Sequence, residues 1–293
     1  MKILISDAFD PSLPEKLAAF GEVTDDKDRL AEVDVVLVRS KTKCRKDYID
    51  EATNLRLIIR GGVGLDNIDV EYARSKGVQV FNTAEASAVA VAELAFALMI
   101  SVPTRLVEGH IGMTNHEWLK TKLKWTELMG KTLGLFGAGT IGTELARRAS
   151  AFGMRVIAYD PYLKSHDAVD LVSMEELLAE TDYMSPHVPH TDETRGMNNT
   201  ETIGRMKNGV VIVNTARAGC VNEVDMKAAL ESGAVRAYAT DVFVSDPPPD
   251  DCPLYDAPNV IMTPHLGASS KENMLRIGDV VVRILEDFAH HTA

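Results

Sequence analysis

The sequence predicts an α/β protein built from two doubly wound parallel sheets. Three observations lead to this prediction: an ordinary globular composition over 293 residues, short apolar runs that alternate with helical patterns, and a long apolar helix between two series of such runs. Alternating strands and helices place parallel strands in a sheet that is covered on both faces. At about 100–200 residues per domain, a chain of this length is expected to form two domains.

Each predicted strand is a short run of mostly apolar residues. The first series is Ile3–Ser6, Val35–Arg39, Leu57–Arg60 and Val78–Phe81. The second series is Leu133–Phe136, Arg155–Tyr159, Tyr183–Ser185, Val210–Asn214, Ala237–Thr240 and Val260–Met262. A predicted helical region over residues 88–122 separates them, and the apolar character of its first half is typical of a buried helix. The last helix is predicted to begin at Ser269, because Ser269 and Glu272 have capping-box spacing.

Composition excludes several classes of function. A net charge of −12 argues against nucleic acid or an anionic membrane as a partner, although a pocket can still be locally basic. The three cysteines are scattered, which predicts free thiols and neither a disulfide framework nor a metal site. The N-terminus resembles a strand rather than a signal peptide, and the apolar stretch Leu94–Val102 is shorter than a membrane span. We therefore expect a soluble cytoplasmic protein.

A glycine-rich turn directly follows the first strand of the second series. Gly137, Gly139 and Gly142 have G-x-G-x-x-G spacing, and a helix with Thr140 and Ile141 at its start follows. The first glycine permits a tight turn, the second lets a pyrophosphate approach the backbone, and the third lets the helix pack closely on the sheet. The helix N-terminus then presents N–H groups to the anion.

Asp160 ends the next strand, eighteen residues after Gly142. An acid here accepts hydrogen bonds from the adenosine ribose hydroxyls and repels a 2′-phosphate, which favours NAD over NADP. The alternative, a glycine turn in an unrelated α/β protein with a solvated Asp160, leaves the spacing and the strand–turn–helix context unexplained. The larger domain is therefore predicted to be a Rossmann NAD-binding domain.

Four segments resemble motifs of the D-2-hydroxyacid dehydrogenase family. They are Arg60–Asp69 (R-G-G-V-G-L-D-N-I-D), Val213–Gly219 (V-N-T-A-R-A-G), Thr240–Phe243 (T-D-V-F) and Thr263–Ser269 (T-P-H-L-G-A-S). The first is similar to the substrate loop of phosphoglycerate dehydrogenases within that family. The resemblance implies a substrate-binding domain of residues 1–98 and 285–293, an inserted NAD-binding domain of residues 99–284, and hydride transfer between nicotinamide and C2 of a D-2-hydroxy acid.

The resemblance also implies three catalytic residues. His265 would be the base in oxidation and the acid in reduction, because imidazole exchanges protons near neutral pH. Arg217 would hold the substrate carboxylate, which a planar guanidinium matches bidentately. The family's third residue is a glutamate, and its position holds Asp246, one methylene shorter. A shortfall of about 1 Å can cost roughly 10²-fold in rate, unless a shifted loop or a bridging water restores the contact.

Further cofactor contacts are implied by the same motifs. Asp241 would accept a hydrogen bond from the nicotinamide carboxamide, with a strand-end cap as the alternative. Thr215 and Ala216 would line the nicotinamide ribose. His187 belongs to an H-x-P segment that is expected near the adenine side of the cofactor. Gly267 of the last motif is also predicted to bind the cofactor.

The first domain carries the features that bear on the substrate. Arg60 opens a loop in which Gly61, Gly62 and Gly64 can expose N–H groups as a nest for an anion. Val63 of this loop is also a predicted substrate contact, and Arg39 ends a neighbouring strand. Two arginines and a nest favour 3-phosphoglycerate, the substrate that leads to serine biosynthesis. A turn with solvated arginines is the plain alternative.

Other readings stay open. Glu85 lies in a segment that matches the family loosely, and an acid beside a phosphate is unfavourable, so reduction of glyoxylate or hydroxypyruvate remains an alternative. An NAD(H)-sensing protein without turnover would fit the Asp246 departure, although Arg217 and His265 argue for an enzyme. The apolar helix and the region of Trp118 and Trp125 predict a homodimer interface, as the resemblance implies, but core packing explains the same pattern.

Overall fold

The computed structural model describes residues 1–292 and contains two parallel β-sheets. The strands of the first sheet are β1 (Lys2–Ile5), β2 (Glu22–Thr24), β3 (Val35–Val38), β4 (Leu57–Arg60) and β5 (Gln79–Asn82). They lie in the order β2-β1-β3-β4-β5, and each neighbouring pair is parallel. The direction in which strands are added therefore reverses between β1 and β3.

The second sheet has seven strands. They are β6 (Thr132–Phe136), β7 (Arg155–Tyr159), β8 (Asp170–Leu171), β9 (Tyr183–Pro186), β10 (Val210–Asn214), β11 (Val235–Thr240) and β12 (Val260–Met262). Their order is β12-β11-β10-β9-β6-β7-β8, with every pair parallel, so the reversal lies between β6 and β9.

Ten α-helices accompany the two sheets in the described residues. They are α1 (Leu13–Leu17), α2 (Lys46–Glu51), α3 (Val70–Ser75), α4 (Ala84–Thr104), α5 (Leu106–Thr114), α6 (Thr140–Ala151), α7 (Met174–Glu180), α8 (Thr200–Gly204), α9 (Glu223–Ser232) and α10 (Lys271–Thr292). Both faces of each sheet are buried. In β10, for example, Val211 and Val213 pack into one core cluster while Val210 and Ile212 pack into another. The predicted fold class is confirmed.

Two strands and the helical region after the first sheet differ from the sequence prediction. Strands β2 and β8 were not predicted, because they are short edge strands with polar residues and no apolar run. The predicted helix over residues 88–122 is instead α4 and α5, followed by non-helical chain after Thr114. The break lies at Arg105, which has a left-handed φ of 55°, two residues after Pro103 in the last turn of α4.

Helix α4 is longer than the apolar stretch that the sequence prediction considered. With 21 residues it is long and apolar enough to cross a membrane by length and composition alone. Most of it is buried within the protein, however, and Ala92, Ala95 and Met99 are fully buried in a core cluster. Those contacts are the ones a core helix makes.

The chain divides into two compact units: the first is Met1–Ala90 with the chain from Ala268 onward, and the second is Val91–Gly267. The sequence prediction placed the boundaries after residues 98 and 284 instead. The later boundary moves because the whole of α10 packs with the first sheet: Ile277 and Val281 share a core cluster with Ile3. Helix α10 begins one residue later than its predicted cap allows, since Ser270 Oγ, and not Ser269, accepts from Asn273 N at 3.2 Å.

Candidate active site

The reversal point of the second sheet carries the glycine turn. Ligands of open parallel sheets bind beside the carboxyl ends of the strands at such a point. The turn that begins at Gly137 follows β6, and His187 follows the neighbouring strand β9, so the two segments leave the sheet side by side. His187 N donates to Phe136 O at 2.7 Å, which fixes the start of its loop against the end of β6.

Each of the three positions in the turn favours glycine for a different geometric reason. Gly137 has a φ of 87°, and a Cβ there would lie 2.8 Å from the carbonyl oxygen of His187. A Cβ on Gly142 would lie 2.6 Å from the carbonyl oxygen of Gly137. A Cβ on Gly139 would meet no atom of the chain within 4 Å, so the space outside the turn at this residue is open. The turn therefore has the shape that an approaching diphosphate requires.

Helix α6 and Asp160 complete this part of the site. Helix α6 begins with Thr140 and Ile141, and its N-cap glycine has no side chain with which to bind the first N–H groups, which remain available to an anion. Asp160 Oδ2 accepts from Ala138 N at 3.1 Å, and its Oδ1 accepts from Tyr162 N at 3.0 Å. The carboxylate is thus fixed beside the turn, as the binding of an adenosine ribose requires.

Two buried polar atoms near this sheet edge lack a hydrogen-bond partner within residues 1–292: His187 Nδ1 and Thr215 Oγ1. Ser185 Oγ donates to Val213 O at 3.1 Å and so accepts from His187 Nε2 at 3.0 Å, which leaves Nδ1 as an acceptor. Burial lowers the pKa of His187 to about 4, so the ring is neutral at physiological pH. Buried polar groups are costly when unpaired, and a bound cofactor with hydroxyl and amide groups fits both atoms.

The loop after β10 holds Arg217. Asn214, fully buried at the end of the strand, accepts from Ala216 N through Oδ1 at 3.0 Å and donates through Nδ2 to Arg217 O at 2.9 Å. The half-buried Arg217 guanidinium donates from Nη1 to Ala216 O at 2.6 Å. Asn214 was expected only to end a strand, but its side chain holds the loop that carries Arg217. The asparagine directly before Thr215 in the V-N-T-A-R segment was the sequence signal for this role.

His265 and Asp246 form a direct pair. His265 Nδ1 lies 2.6 Å from Asp246 Oδ2, although the two residues belong to different loops, after β12 and after β11 respectively. Their side chains are 40% and 45% exposed. With Nδ1 occupied by the carboxylate, the other ring nitrogen, Nε2, is the one that a substrate can meet. The shorter acidic side chain therefore reaches the histidine without a bridging water.

Asp241 lies beneath the histidine loop and is only 1% exposed. Its carboxylate accepts from Thr263 Oγ1 at 2.6 Å, Leu266 N at 2.7 Å and Gly267 N at 2.8 Å. Within this loop His265 adopts a left-handed φ of 54°. Both carboxylate oxygens are thus bound by the loop, a role that sequence analysis did not predict.

Strand register brings the candidate catalytic residues of the second unit to one sheet edge. The last residue of β10, Asn214, is paired with Thr240, which is in turn paired with Met262 at the end of β12. Arg217 and His265 both follow strands that end at this level. Because parallel strands end at the same edge, the arrangement combines a cation for a carboxylate with a histidine for proton transfer.

The first unit holds the predicted substrate residues. Arg39 directly follows β3, at the reversal point of the first sheet. Its guanidinium donates from Nη2 to Ala268 O at 3.1 Å and from Nη1 to Met274 Sδ at 3.1 Å, and burial lowers its pKa. Two of the five N–H donors of the Arg39 guanidinium are thus used within the unit.

The loop after β4 is also partly engaged. Gly62 N donates to the fully buried Thr83 Oγ1 at 2.8 Å, so this N–H of the predicted nest is occupied. A Cβ on Gly62 would lie 1.8 Å from Arg60 Nη1, which places the Arg60 guanidinium against this glycine. Val63 and Gly64 follow in the same loop and are half-buried. The predicted anion nest is therefore smaller than the sequence implied.

Glu85, in the segment that follows β5, forms an ion pair with Arg283 on α10. Its carboxylate is engaged there and so does not face the Arg60 loop as an uncompensated acid. Because it is paired, Glu85 argues less strongly against a bound phosphate than its sequence position suggested.

Comparison with known proteins agrees with this geometry. Residues 96–267 match the model of the D-isomer specific 2-hydroxyacid dehydrogenase NAD-binding domain. A hydroxypyruvate reductase of Thermotoga maritima is 46% identical over 88% of this chain and 86% of its own length. A D-3-phosphoglycerate dehydrogenase of Methanocaldococcus jannaschii is 40% identical over 96% of this chain, which spans 56% of that relative's length.

A solved structure gives the same result. The D-lactate dehydrogenase of Aquifex aeolicus, in complex with NAD and lactic acid, superposes with a TM-score of 0.85 at 28% identity, covering 98% of this chain and 94% of its own. The glycine turn, the fixed Asp160 and the two unpartnered buried polar atoms fit the same cofactor. The chain therefore belongs to the D-isomer specific 2-hydroxyacid dehydrogenase family and is an NAD-dependent oxidoreductase.

Proposed function

We propose that the protein interconverts a 2-keto acid and the D-2-hydroxy acid, with His265 as the proton-transferring group and hydroxypyruvate as the preferred keto acid. The observation that carries the proposal is the 2.6 Å contact between His265 Nδ1 and Asp246 Oδ2. It provides an oriented imidazole at the edge of an NAD-binding sheet. Bound NADH supplies the hydride for C2, and the protein orients the substrate and moves the proton.

Proton transfer uses the second nitrogen of the imidazole. In reduction, His265 Nε2–H donates its proton to the carbonyl oxygen as that oxygen gains negative charge. In oxidation, the neutral Nε2 removes the hydroxyl proton. The Asp246 carboxylate holds the Nδ1–H orientation and stabilises the positive charge on the protonated ring.

Arg217 would hold the substrate carboxylate. A guanidinium presents two parallel N–H groups to the two carboxylate oxygens and polarises a neighbouring carbonyl. The Asn214 side chain fixes the backbone on which Arg217 stands, through bonds of 3.0 and 2.9 Å to Ala216 N and Arg217 O. Because the backbone at Arg217 is fixed, less entropy is lost when the substrate is aligned with the histidine.

Two observations support an unphosphorylated acid. The Arg39 guanidinium and the Gly62 N–H, which a phosphate would need, donate to other groups of the first unit. The relative named hydroxypyruvate reductase is similar over most of both chains. Hydroxypyruvate needs one cation for its carboxylate and no second anion site.

The second candidate is 3-phosphohydroxypyruvate, the keto acid of 3-phosphoglycerate. It is favoured by Arg60, by the pairing of Glu85 with Arg283, and by relatives named D-3-phosphoglycerate dehydrogenase at 38–42% identity. The two candidates differ by one phosphate group, which requires its own anion site.

The test follows NADH oxidation with hydroxypyruvate, 3-phosphohydroxypyruvate, glyoxylate and pyruvate. We expect the highest kcat/KM on hydroxypyruvate, and a loss of about 10³-fold in kcat for His265→Ala. His290→Ala, which replaces an exposed histidine on α10, is the control, and its kcat should be unchanged. A higher kcat/KM on 3-phosphohydroxypyruvate than on hydroxypyruvate, which Arg60→Met then reduces, would make the phosphorylated acid the substrate. An unchanged rate in His265→Ala would reject the proposed mechanism.

We also propose a homodimer through an exposed apolar face of the second unit. Trp118 and Trp125 are 73% and 59% exposed, and Ile111 and Met113 of α5 are exposed beside them in sequence. A cleft of about 630 Å³ is lined by part of this face, including Trp125 and Ile111. Apolar faces of this kind commonly mark interfaces. Light scattering should give twice the 32.0 kDa chain mass, and Trp125→Glu should reduce it.

The location of the protein is a further proposal. Cys44 and Cys252 are buried free thiols, as is usual in a reducing compartment. We propose a cytoplasmic location, which fractionation of cells that express the tagged full chain would test.

A further inference from the structure

The backbone conformation of His265 requires an explanation. Its φ of 54° lies in the left-handed region, which a residue with a Cβ rarely adopts. Such a conformation persists only where the surrounding structure fixes the backbone on both sides, and it is common at functional sites. A group that fixes the loop on both sides of the histidine must therefore be present.

Asp241 is that group. It receives hydrogen bonds from Thr263, two residues before His265, and from Leu266 and Gly267, the two residues after it. The distances are 2.6, 2.7 and 2.8 Å, and all three end on a carboxylate that is 1% exposed. Few side chains other than a carboxylate can accept from three convergent donors, because an amide has one oxygen and places N–H donors opposite the others.

The loop is also attached to the sheet. Thr263 N donates to Thr240 O at 3.0 Å, and His265 N donates to Thr263 O at 2.9 Å. Thr240 ends β11 and directly precedes Asp241, so the backbone N–H and the hydroxyl of Thr263 are both attached to the same strand end. The strand end and the carboxylate together determine where the histidine ring lies.

We propose that Asp241 is a positioning residue that holds His265 in its left-handed conformation and so aims the imidazole at Asp246 and the substrate. Asp241 takes no part in the proton transfer. The inference rests on the proposed role of His265. It differs from the family-based expectation for Asp241, in which the carboxylate binds the nicotinamide carboxamide, because its effect would pass through the histidine and not through the cofactor.

Thr263 separates the two roles experimentally. The Thr263 hydroxyl donates to Asp241 Oδ1, and Thr263→Val removes this donor with little change in side-chain volume. We expect kcat to fall about 10-fold in Thr263→Val and about 10²-fold in Asp241→Asn, with KM for the keto acid changed less than about 3-fold. The dissociation constant of NADH, measured by fluorescence, should stay within about 2-fold in both variants.

A double-mutant cycle tests whether the effect passes through His265. In a His265→Ala background, Thr263→Val should leave the residual rate unchanged, because no imidazole remains to be positioned. Thr181→Val is the matched control: its buried hydroxyl donates to Leu177 O, and its removal should leave kcat within about 2-fold. Thermal unfolding of each variant checks that the loop change does not unfold the unit.

Two outcomes would overturn the inference. Asp241→Asn could raise the NADH dissociation constant more than about 10-fold while Thr263→Val leaves kcat unchanged, which would assign Asp241 to the cofactor. Thr263→Val could lower the residual rate equally in the His265→Ala background, which would make its effect independent of the histidine. Full activity in His265→Ala alone would instead reject the proposed function, so the two failures are distinguishable. If Asp241→Asn does not fold, the Thr263→Val arms still decide.

Discussion

Asp246 Oδ2 lies 2.6 Å from His265 Nδ1, even though aspartate is one methylene shorter than the glutamate of the family motif at this position. The contact is made because both residues lie on loops at the ends of adjacent strands, β11 and β12. The loop of Asp246 therefore provides the reach that the side chain lacks, and the proline-rich segment that follows belongs to the same loop.

The first prediction concerns this pair. Asp246→Asn should lower kcat about 10²-fold, because an amide leaves the charge on the protonated ring without compensation. Asp246→Glu should also lower kcat, by about 10-fold, since the added methylene displaces the ring in a loop built for the shorter acid. Steady-state rates with saturating NADH measure both effects. Asp250→Asn, an exposed acid in the same loop, is the control. Faster turnover in Asp246→Glu would contradict the view that the loop fits aspartate.

The second prediction concerns Arg217. Arg217→Lys should lower kcat/KM about 10²-fold, mainly through KM, because an ammonium cannot form two parallel hydrogen bonds to a carboxylate. Initial rates over a range of keto-acid concentrations measure the change. Arg195→Lys, at an exposed arginine that pairs with Asp192, should have no effect. An unchanged KM in Arg217→Lys would remove the arginine from carboxylate binding.

The third prediction compares two glycines of the turn. A methyl group on Gly139 meets no protein atom, so Gly139→Ala should fold normally and weaken NADH binding at least about 10-fold by occupying the space for the diphosphate. A methyl group on Gly142 would lie 2.6 Å from Gly137 O, so Gly142→Ala should lower the unfolding temperature. NADH titration and thermal unfolding of both variants separate the effects. A stable Gly139→Ala with unchanged affinity would place the diphosphate elsewhere.

The fourth prediction uses the buried histidine beside the turn. The folded pKa of His187, about 4, lies below its ordinary value near 6.5, so the unfolded chain binds the proton more readily between these values. The contribution of His187 is present above about pH 6.5 and is lost as the pH falls towards 4.

Between pH 7.5 and pH 5 the free energy of unfolding should therefore fall by about 1–2 kcal/mol more in the native sequence than in His187→Gln. Urea unfolding at the two pH values measures this difference. Equal losses in the two proteins would mean that folding does not lower the pKa of His187.

Local signals determined much of this protein before the structure. The glycine spacing after a strand, and Asp160 at the end of the next strand, predicted the cofactor class, because both depend on a single β-α-β unit. The motifs around Arg217 and His265 placed them at strand ends. Parallel strands end at one edge, so strand-end positions in sequence become neighbours in space.

Only the tertiary structure determined how far and in which direction the side chains reach. Asp241 binds donors 22 to 26 residues away along the chain, and Thr83 binds the Gly62 N–H across 21 residues. No local pattern encodes those contacts, because they depend on how loops from separate strands pack. The same holds for Arg39, whose guanidinium donates to Ala268 O, and for α10, which packs with the first sheet although the sequence assigned most of it to the second unit. The sequence alone therefore determined the residue types and the edge at which they stand, and packing between distant segments decided which of them touch.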